Sequence, residues 1–260
     1  MLDKIMVDTH THTVLSGHAW STLRENAVAA AKKGLYGFCL TDHAHALPGS
    51  GPFFRTAAQR MLPVIMEGVR IYSGVEANIV NLDGGLDVDD KQLFATEFCI
   101  GSLHDLCTKP GTSSENTNAF IGALRHPCVD ILGHIDDYRT PNEFSVVVSE
   151  AGRLGKLVEI NNNSILIRRG GRERVEELAR LCAVLGTRVA VASDAHLDDM
   201  VGSVTPALEL LERIGFPEEL IVNRSADAFK EYLNERNARM DSVREHYAAA
   251  GVPAKRIPRR

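Results

Sequence analysis

The chain has little of what would set it apart from an ordinary globular protein. It carries one tryptophan in 260 residues, and aromatic side chains make up only 6% of it. Few rings are therefore on hand to stack against single-stranded bases. Positive charge is not in excess either: 29 lysines and arginines face 34 acidic residues, a net charge of −5. That balance disfavours nucleic acid and anionic membrane as partners. No apolar run approaches the roughly 18 residues needed to cross a bilayer. The opening MLDKIMVDTH lacks the basic start and long apolar segment of a secretion signal, so a cytoplasmic location is expected. Five cysteines, at 39, 99, 107, 128 and 182, form no Cys-x-x-Cys pair and are odd in number, which speaks against a disulfide framework. Four of them lie in or beside apolar segments as small buried hydrophobes. Cys107, in the loop after His104, is a candidate for a metal or substrate contact.

What is present is a repeating pattern. Apolar residues at 44% and charged residues at 24% support a sizeable core. Short β-branched runs mark strands at about 4–9, 36–42, 70–77, 98–104, 129–135, 157–162 and 188–194. Amphipathic segments lie between most of them, near 22–34, 54–68, 115–126, 143–154 and 172–185. The first opens on a capping box, Thr22 to Glu25, and stops at Gly34. Gly186 is a stop for the fifth, and Thr205-Pro206 reads as an N-cap followed by proline, opening a helix to about Arg213. HALPGSGPFF (45–54) and TKPGTSSENT (108–117) read as turn-rich loops. Seven strand–helix units with no linker predict a parallel sheet closed into a barrel. Residues 1–235 would form that barrel, and 236–260 a polar extension, ending in the disordered tail AKRIPRR, without a domain of its own.

The histidines concentrate at one place in this pattern. Strand one ends in His10 and His12, two apart and so on one face, with His18 in the following loop. The second strand ends in LTDH at His43, and the third carries Glu76 in GVEAN. GSLH ends the fourth at His104, LGH the fifth at His134, and ASDAH the seventh at Asp194 and His196. A single strand-end histidine is more often a hydrogen-bonded rim residue than a ligand. Metal-ligand chemistry at the same end of six strands is a different matter, because barrel active sites are built on that face. His45, His126 and His246 lack the placement and are expected to be structural or solvated. Imidazoles with carboxylates suit zinc, iron or manganese, and nine ligands are enough for three ions at three protein ligands each.

These motifs, VDTHTHTVLSGHAWSTL, LTDHA, GVEANI, GSLHD, LGHI, VEINNNS and ASDAH, resemble the PHP (polymerase and histidinol phosphatase) family, nearest its bacterial YcdX-type phosphatases. The likeness spans about residues 5–235. It implies an α/β fold, a distorted, TIM-like (β/α)7 barrel, with three divalent metal ions, usually Zn2+, with Mn2+ or Fe2+ as alternatives. By position it implies His10, His12, Glu76 and Asp194 around one ion. His104 and His134 would hold the second with Glu76 bridging, and His18, His43 and His196 the third. One departure is Ile135, where proline commonly follows the fifth-strand histidine; the DDYRT loop after it bears on substrate shape.

Three divalent ions offset by two carboxylates and a bridging hydroxide leave a net charge of about +3, suited to a phosphate dianion. The expected reaction is hydrolysis of a small phosphorylated metabolite, a phosphate monoester, by a metal-activated hydroxide, with Glu76 and Asp194 as the catalytic carboxylates. Asp194 or a metal-bound water is a candidate to protonate the leaving group. Arg168 and Arg169, after strand six, are candidate phosphate contacts, and Asn161, Asn162 and Asn163 belong to the same loop. Asp8 and Asp42 are candidates to orient ligand imidazoles. Among rivals, an amidohydrolase would commonly place a bridging lysine on strand four, which FCIGSLH lacks. A phosphodiesterase or nuclease of the same family is the main alternative, and a non-catalytic metal-binding protein the third. A homo-oligomer is compatible with the chain.

Overall fold

The structure is a computed structural model that describes residues 3–51 and 58–249. Its strands are β1 (Val7–Thr11), β2 (Gly37–Leu40), β3 (Ile65–Met66), β4 (Val69–Asn78), β5 (Phe98–Ser102), β6 (Ile131–Leu132), β7 (Leu157–Asn161) and β8 (Val189–Ala192). Seven run side by side in the order β1-β2-β4-β5-β6-β7-β8, every neighbouring pair parallel. β3 adds only an antiparallel flap to the start of β4. Beyond the end of β8, the His12 amide donates to Ala195 O at 2.8 Å and the Ala195 amide to His10 O at 3.3 Å. These two bonds bring the last strand back to the first, and the sheet becomes a nearly closed (β/α)7 barrel, as the alternation predicts.

Side chains of β1, β2, β5, β7 and β8 are buried at every position, the pattern of parallel strands covered on both faces. The helices that cover them are α1 (Leu23–Lys32), α2 (Asp90–Leu93), α3 (Ser113–Arg125), α4 (Phe144–Arg153), α5 (Asn162–Ile167), α6 (Gly171–Leu185), α7 (Thr205–Arg213) and α8 (Ala226–Ala249). α1 opens on the expected capping box: Thr22 accepts from the Glu25 amide, and the Glu25 carboxylate accepts from the Thr22 amide at 2.7 Å. α6 stops at Gly186, whose φ of 66° suits glycine.

Several expected boundaries shift. α3 begins inside the segment 108–117 read as a loop, because Thr112 and Glu115 form a second capping box. The N-cap of α7 is Val204, so Thr205 is its first residue. Of the helix expected over 54–68, residues 54–57 lie outside the described residues; Gln59–Met61 form a 3-10 turn and β3 follows. The fifth barrel strand shrinks to Ile131–Leu132. Five of the seven barrel strands end earlier than periodicity suggests, β1 and β4 running on to Thr11 and Asn78, and most of the ligand-type residues stand in the loops beyond the strands.

The boundary expected at residue 235 falls inside α8, which continues unbroken to Ala249. Its Phe229 and Tyr232 pack with Val7, Cys39, Tyr72 and Phe98 near the N-terminal ends of the strands. Arg236 is buried against Asp130, with Nε 3.2 and 3.3 Å from the two carboxylate oxygens. Met240 is buried too. α8 thus seals the floor of the barrel, opposite the loops that carry the histidines. The final basic residues lie outside the described part. Among the described residues no helix is long and apolar enough to cross a membrane.

Candidate metal centre

The fold brings all nine predicted ligands together at the C-terminal mouth of the barrel. Glu76, inside β4 and fully buried, is the hub. Its Oε2 lies 2.6 Å from His43 Nδ1, 3.3 Å from His10 Nε2 and 3.5 Å from His12 Nε2. Its Oε1 lies 3.1 Å from His134 Nε2 and 3.3 Å from His104 Nε2. Asp194 Oδ1 is a second focus, 3.3 Å from His12 Nε2 and 3.6 Å from both His10 Nε2 and His196 Nδ1. His18 arrives from the loop after β1, and its Nε2 is 2.8 Å from His196 Nε2. Two of these residues hold strained backbones: His134 has φ 31° and Asp194 φ 55°, left-handed values that non-glycine residues adopt at a cost of about 1–3 kcal/mol. Gly133 makes the approach to His134 possible, since a Cβ there would sit 2.3 Å from Ser102 Oγ.

The outward faces of the rings explain why cations belong there. His10 Nδ1 donates to Glu159 Oε1 at 2.6 Å, His104 Nδ1 to Asn78 Oδ1 at 2.8 Å, His18 Nδ1 to Ser16 O at 3.1 Å, and His196 Nδ1 to Asp194 O at 2.9 Å. Each acceptor takes the Nδ1 proton and turns the Nε2 lone pair inward. His12 follows the same rule through a relay. Ser16 Oγ donates to Asp42 Oδ1 at 2.7 Å, which leaves it to accept from His12 Nδ1 at 3.0 Å. Lone pairs facing lone pairs and carboxylates repel unless positive charge lies between them. Consistently, His10 Nε2, His12 Nε2 and Glu76 Oε2 are buried without a hydrogen-bond partner. The residues fit divalent metal ions.

The electrostatics agree. Burial works against the charge of Glu76, but the imidazoles of His43, His10 and His104 hold its carboxyl well below the usual range. Asp194 is held low in the same way against burial, by His10, His12 and His196. Burial pushes His43 down to about 4 and keeps His12 well below its ordinary value. His10 moves up against burial, because Glu159, Asp194 and Glu76 surround it. Ligand atoms within 4.8 Å of one another group as His12-His43-His196, His10-His12-Glu76 and His43-Glu76-His104. His12, His43 and Glu76 recur, so distance alone does not divide the nine into the three expected sets.

Other predicted residues scatter. Arg168 lines the cleft above the centre, with Nη2 3.7 Å from Asp194 Oδ2 and Nε 3.2 Å from Asp137 Oδ2. Arg169 is exposed and not part of that lining. Asn161 donates to Glu159 and Asp194, Asn162 is spent on Ser203 O and the Ala207 amide, and Asn163 lines the cleft. Asp8 orients no imidazole; its carboxylate accepts from Ser193 Oγ at 2.5 Å and from the Gly202 amide at 2.7 Å. Cys107 is in no ligand group, and burial pushes its thiol up to about 12, the wrong direction for a thiolate ligand. His126 pairs with Asp90 at 3.0 Å, His45 is exposed, and His246 packs near Tyr247 on α8. Glu159 is the main residue missed. Its one signal is an acid between Val158 and Ile160 in a short apolar run, a strand buried at every position, Glu159 included.

Comparison with known proteins adds to this geometry. The family model described as PHP domain matches residues 8–180. A probable phosphatase of Acetivibrio thermocellus is 39% identical over 237 residues, covering 91% of this chain and 98% of that protein. A probable phosphatase of Caldanaerobacter subterraneus subsp. tengcongensis is 42% identical over 239 residues, covering 91% and 94%. Among solved structures, histidinol phosphate phosphatase from Lactococcus lactis, complexed with zinc, L-histidinol and phosphate, superposes with a TM-score of 0.59. That match is 16% identical and covers 84% of this chain and 95% of the other, a likeness of fold.

Proposed function

This chain is a member of the PHP domain family, and from that premise we propose that it is a metal-dependent phosphatase hydrolysing small phosphate monoesters at a centre of three divalent ions, zinc foremost. One observation carries the reading: buried imidazole lone pairs and two ionised carboxylates converge at the floor of an open cleft of about 650 Å³. The names of the relatives, and the zinc and phosphate bound by the structural neighbour, support it.

In this reading His10, His12, Glu76 and Asp194 hold one ion, His104 and His134 with Glu76 the second, and His18, His43 and His196 the third. Divalent cations at such a centre make water acidic enough to attack at neutral pH and offset charge on the phosphoryl group. Glu159, Asn78 and the Asp42–Ser16 pair keep the rings aimed, so little reorganisation accompanies reaction. Arg168, held by Asp137 beside Asp194, offers guanidinium donors to a phosphate oxygen; exposed Arg169 does not. Asp194 serves in this reading as a ligand, its Oδ1 lying within 3.6 Å of ring nitrogens of His10, His12 and His196.

A monoester presents three non-bridging oxygens and up to two charges, whereas a diester has fewer of both and a second substituent to seat. With zinc or manganese supplied, a chromogenic phosphate monoester should turn over much faster than the matching diester. Preference for the diester, or stepwise release of nucleotides from a single-stranded oligonucleotide, would replace this reading with the nuclease one.

A further inference from the structure

The upper part of the cleft differs in character from its floor. Leu47, Pro48, Leu106, Ile167 and Met200 line it together with the metal-ligand side chains. Leu106 is 70% exposed and Ile167 71% exposed. Large apolar side chains left this open at the mouth of a concave site are informative, because singly scattered ones are ordinary but a cluster around a cleft marks a binding surface. They come from separate connections, after β2, β5, β7 (where Ile167 ends α5) and β8, so no single helix face or strand edge accounts for them.

Charge in the same region is already spent. Arg139 lines the cleft, but its guanidinium is bound to Asp105 at 3.0 Å and to Asp137 at 2.7 Å. Asp137 also takes Arg168. Two arginines and two aspartates cancel, and among the described residues lining the cleft no cation is left over for a second anionic group. A cleft of about 650 Å³ is also far larger than a phosphate group requires.

We infer that this upper cleft is the leaving-group subsite and that it selects an uncharged, apolar leaving group, an alkyl chain or aryl ring, over sugars, nucleosides and bisphosphates. The inference rests on the phosphatase reading: the phosphate sits at the metal centre and the remainder of the ester lies along Leu106 and Ile167. Its continuity with that centre is what points to the substrate as occupant.

The test is a series of monoalkyl phosphates from ethyl to hexyl, whose leaving alcohols are nearly equally basic, assayed on the metal-loaded protein beside 4-nitrophenyl phosphate and glucose 6-phosphate. Burying each methylene should raise kcat/KM by about two- to fourfold until the cleft is filled. Leu106→Ser and Ile167→Ser should each lower the hexyl-to-ethyl ratio about fivefold or more. Both side chains are exposed, so these variants should fold, and unchanged circular dichroism and metal content would establish that they do. A wild-type profile flat in chain length, or glucose 6-phosphate preferred to hexyl phosphate, overturns the subsite while the phosphatase reading stands. Failure to hydrolyse any monoester, 4-nitrophenyl phosphate included, removes the reading beneath it. Variants that convert a larger assembly to a smaller one, with the hexyl-to-ethyl ratio intact, would make the apolar rim a contact between copies and overturn the proposal.

Discussion

Glu159 illustrates what a single buried residue does here. One carboxylate oxygen takes the His10 Nδ1 proton at 2.6 Å, and the other accepts from the His134 amide at 2.7 Å and from Asn161 at 3.0 Å. It therefore aims His10 and pins the strained backbone at His134 together. Partners of this kind typically change metal affinity by about 10- to 100-fold when altered. Glu159→Gln keeps the shape but weakens acceptance of the ring proton, so it should lose metal on dialysis sooner than the parent protein. His126→Ala should retain metal, because its ring pairs with Asp90 away from the centre. Equal metal retention by Glu159→Gln and the parent, measured by elemental analysis, would reduce Glu159 to packing.

At the scale of elements, the barrel floor is held by buried charges that have nothing to do with catalysis. Arg236 of α8 meets Asp130 at the start of β6, and breaking such a pair by removing one partner costs about 3–5 kcal/mol. Lys156, at the start of β7, donates to Leu124 O and His126 O and so caps the C-terminus of α3. Burial pushes its ammonium down to about 8, against about 10.4 in the unfolded chain. Between these values the unfolded state binds the proton more tightly, so this residue's contribution to stability rises with pH across the window and is constant below it. The stability difference between the parent protein and Lys156→Met should shift by about 3 kcal/mol in the parent's favour from below pH 8 to above pH 10. The difference is the proper readout, because buried Cys39 and Cys99, whose thiols burial pushes up, lose stability as pH rises past 9. Urea melts with a pH-independent difference would refute the assignment.

For the molecule as a whole, the candidate metal centre lies at the end of the barrel that α8 does not close. Its candidate ligands come from β1, β4 and the loops beyond β1, β2, β5, β6 and β8, so ions bound there would tie most of the sheet together. A ligand that binds only the folded state stabilises it by mass action. Chelation should therefore lower the melting temperature, and readdition of zinc should restore it. Protein purified without chelator should contain about three divalent ions per chain. A content of one, with full turnover, would end the three-ion reading.

The convergence of the nine candidate ligands was legible in the chain because two local rules suffice. Strand periodicity locates strand ends, and right-handed crossovers send every C-terminal end to the same face. Histidine or carboxylate at those ends must then converge, and His10 to His196 did. The capping box at Thr22 and the stop at Gly186 were legible for the same reason, since each is decided within a turn. What the chain order does not carry is distance between remote residues. Glu159 and His10 lie 149 positions apart, and nothing near either names the other. Asp8 and Asp42 sit equally close to ligand histidines in sequence, yet Asp42 reaches His12 through Ser16 while Asp8 turns to Ser193 and Gly202. The polarity of residues 236–249 concealed a helix whose Arg236 is buried only because Asp130 awaits it. The apolar upper cleft exists only where four connections meet. Which residues gather at the barrel mouth follows from local pattern; partners, cleft shape and the barrel's floor follow from packing, because they are properties of pairs that only the folded chain brings within contact.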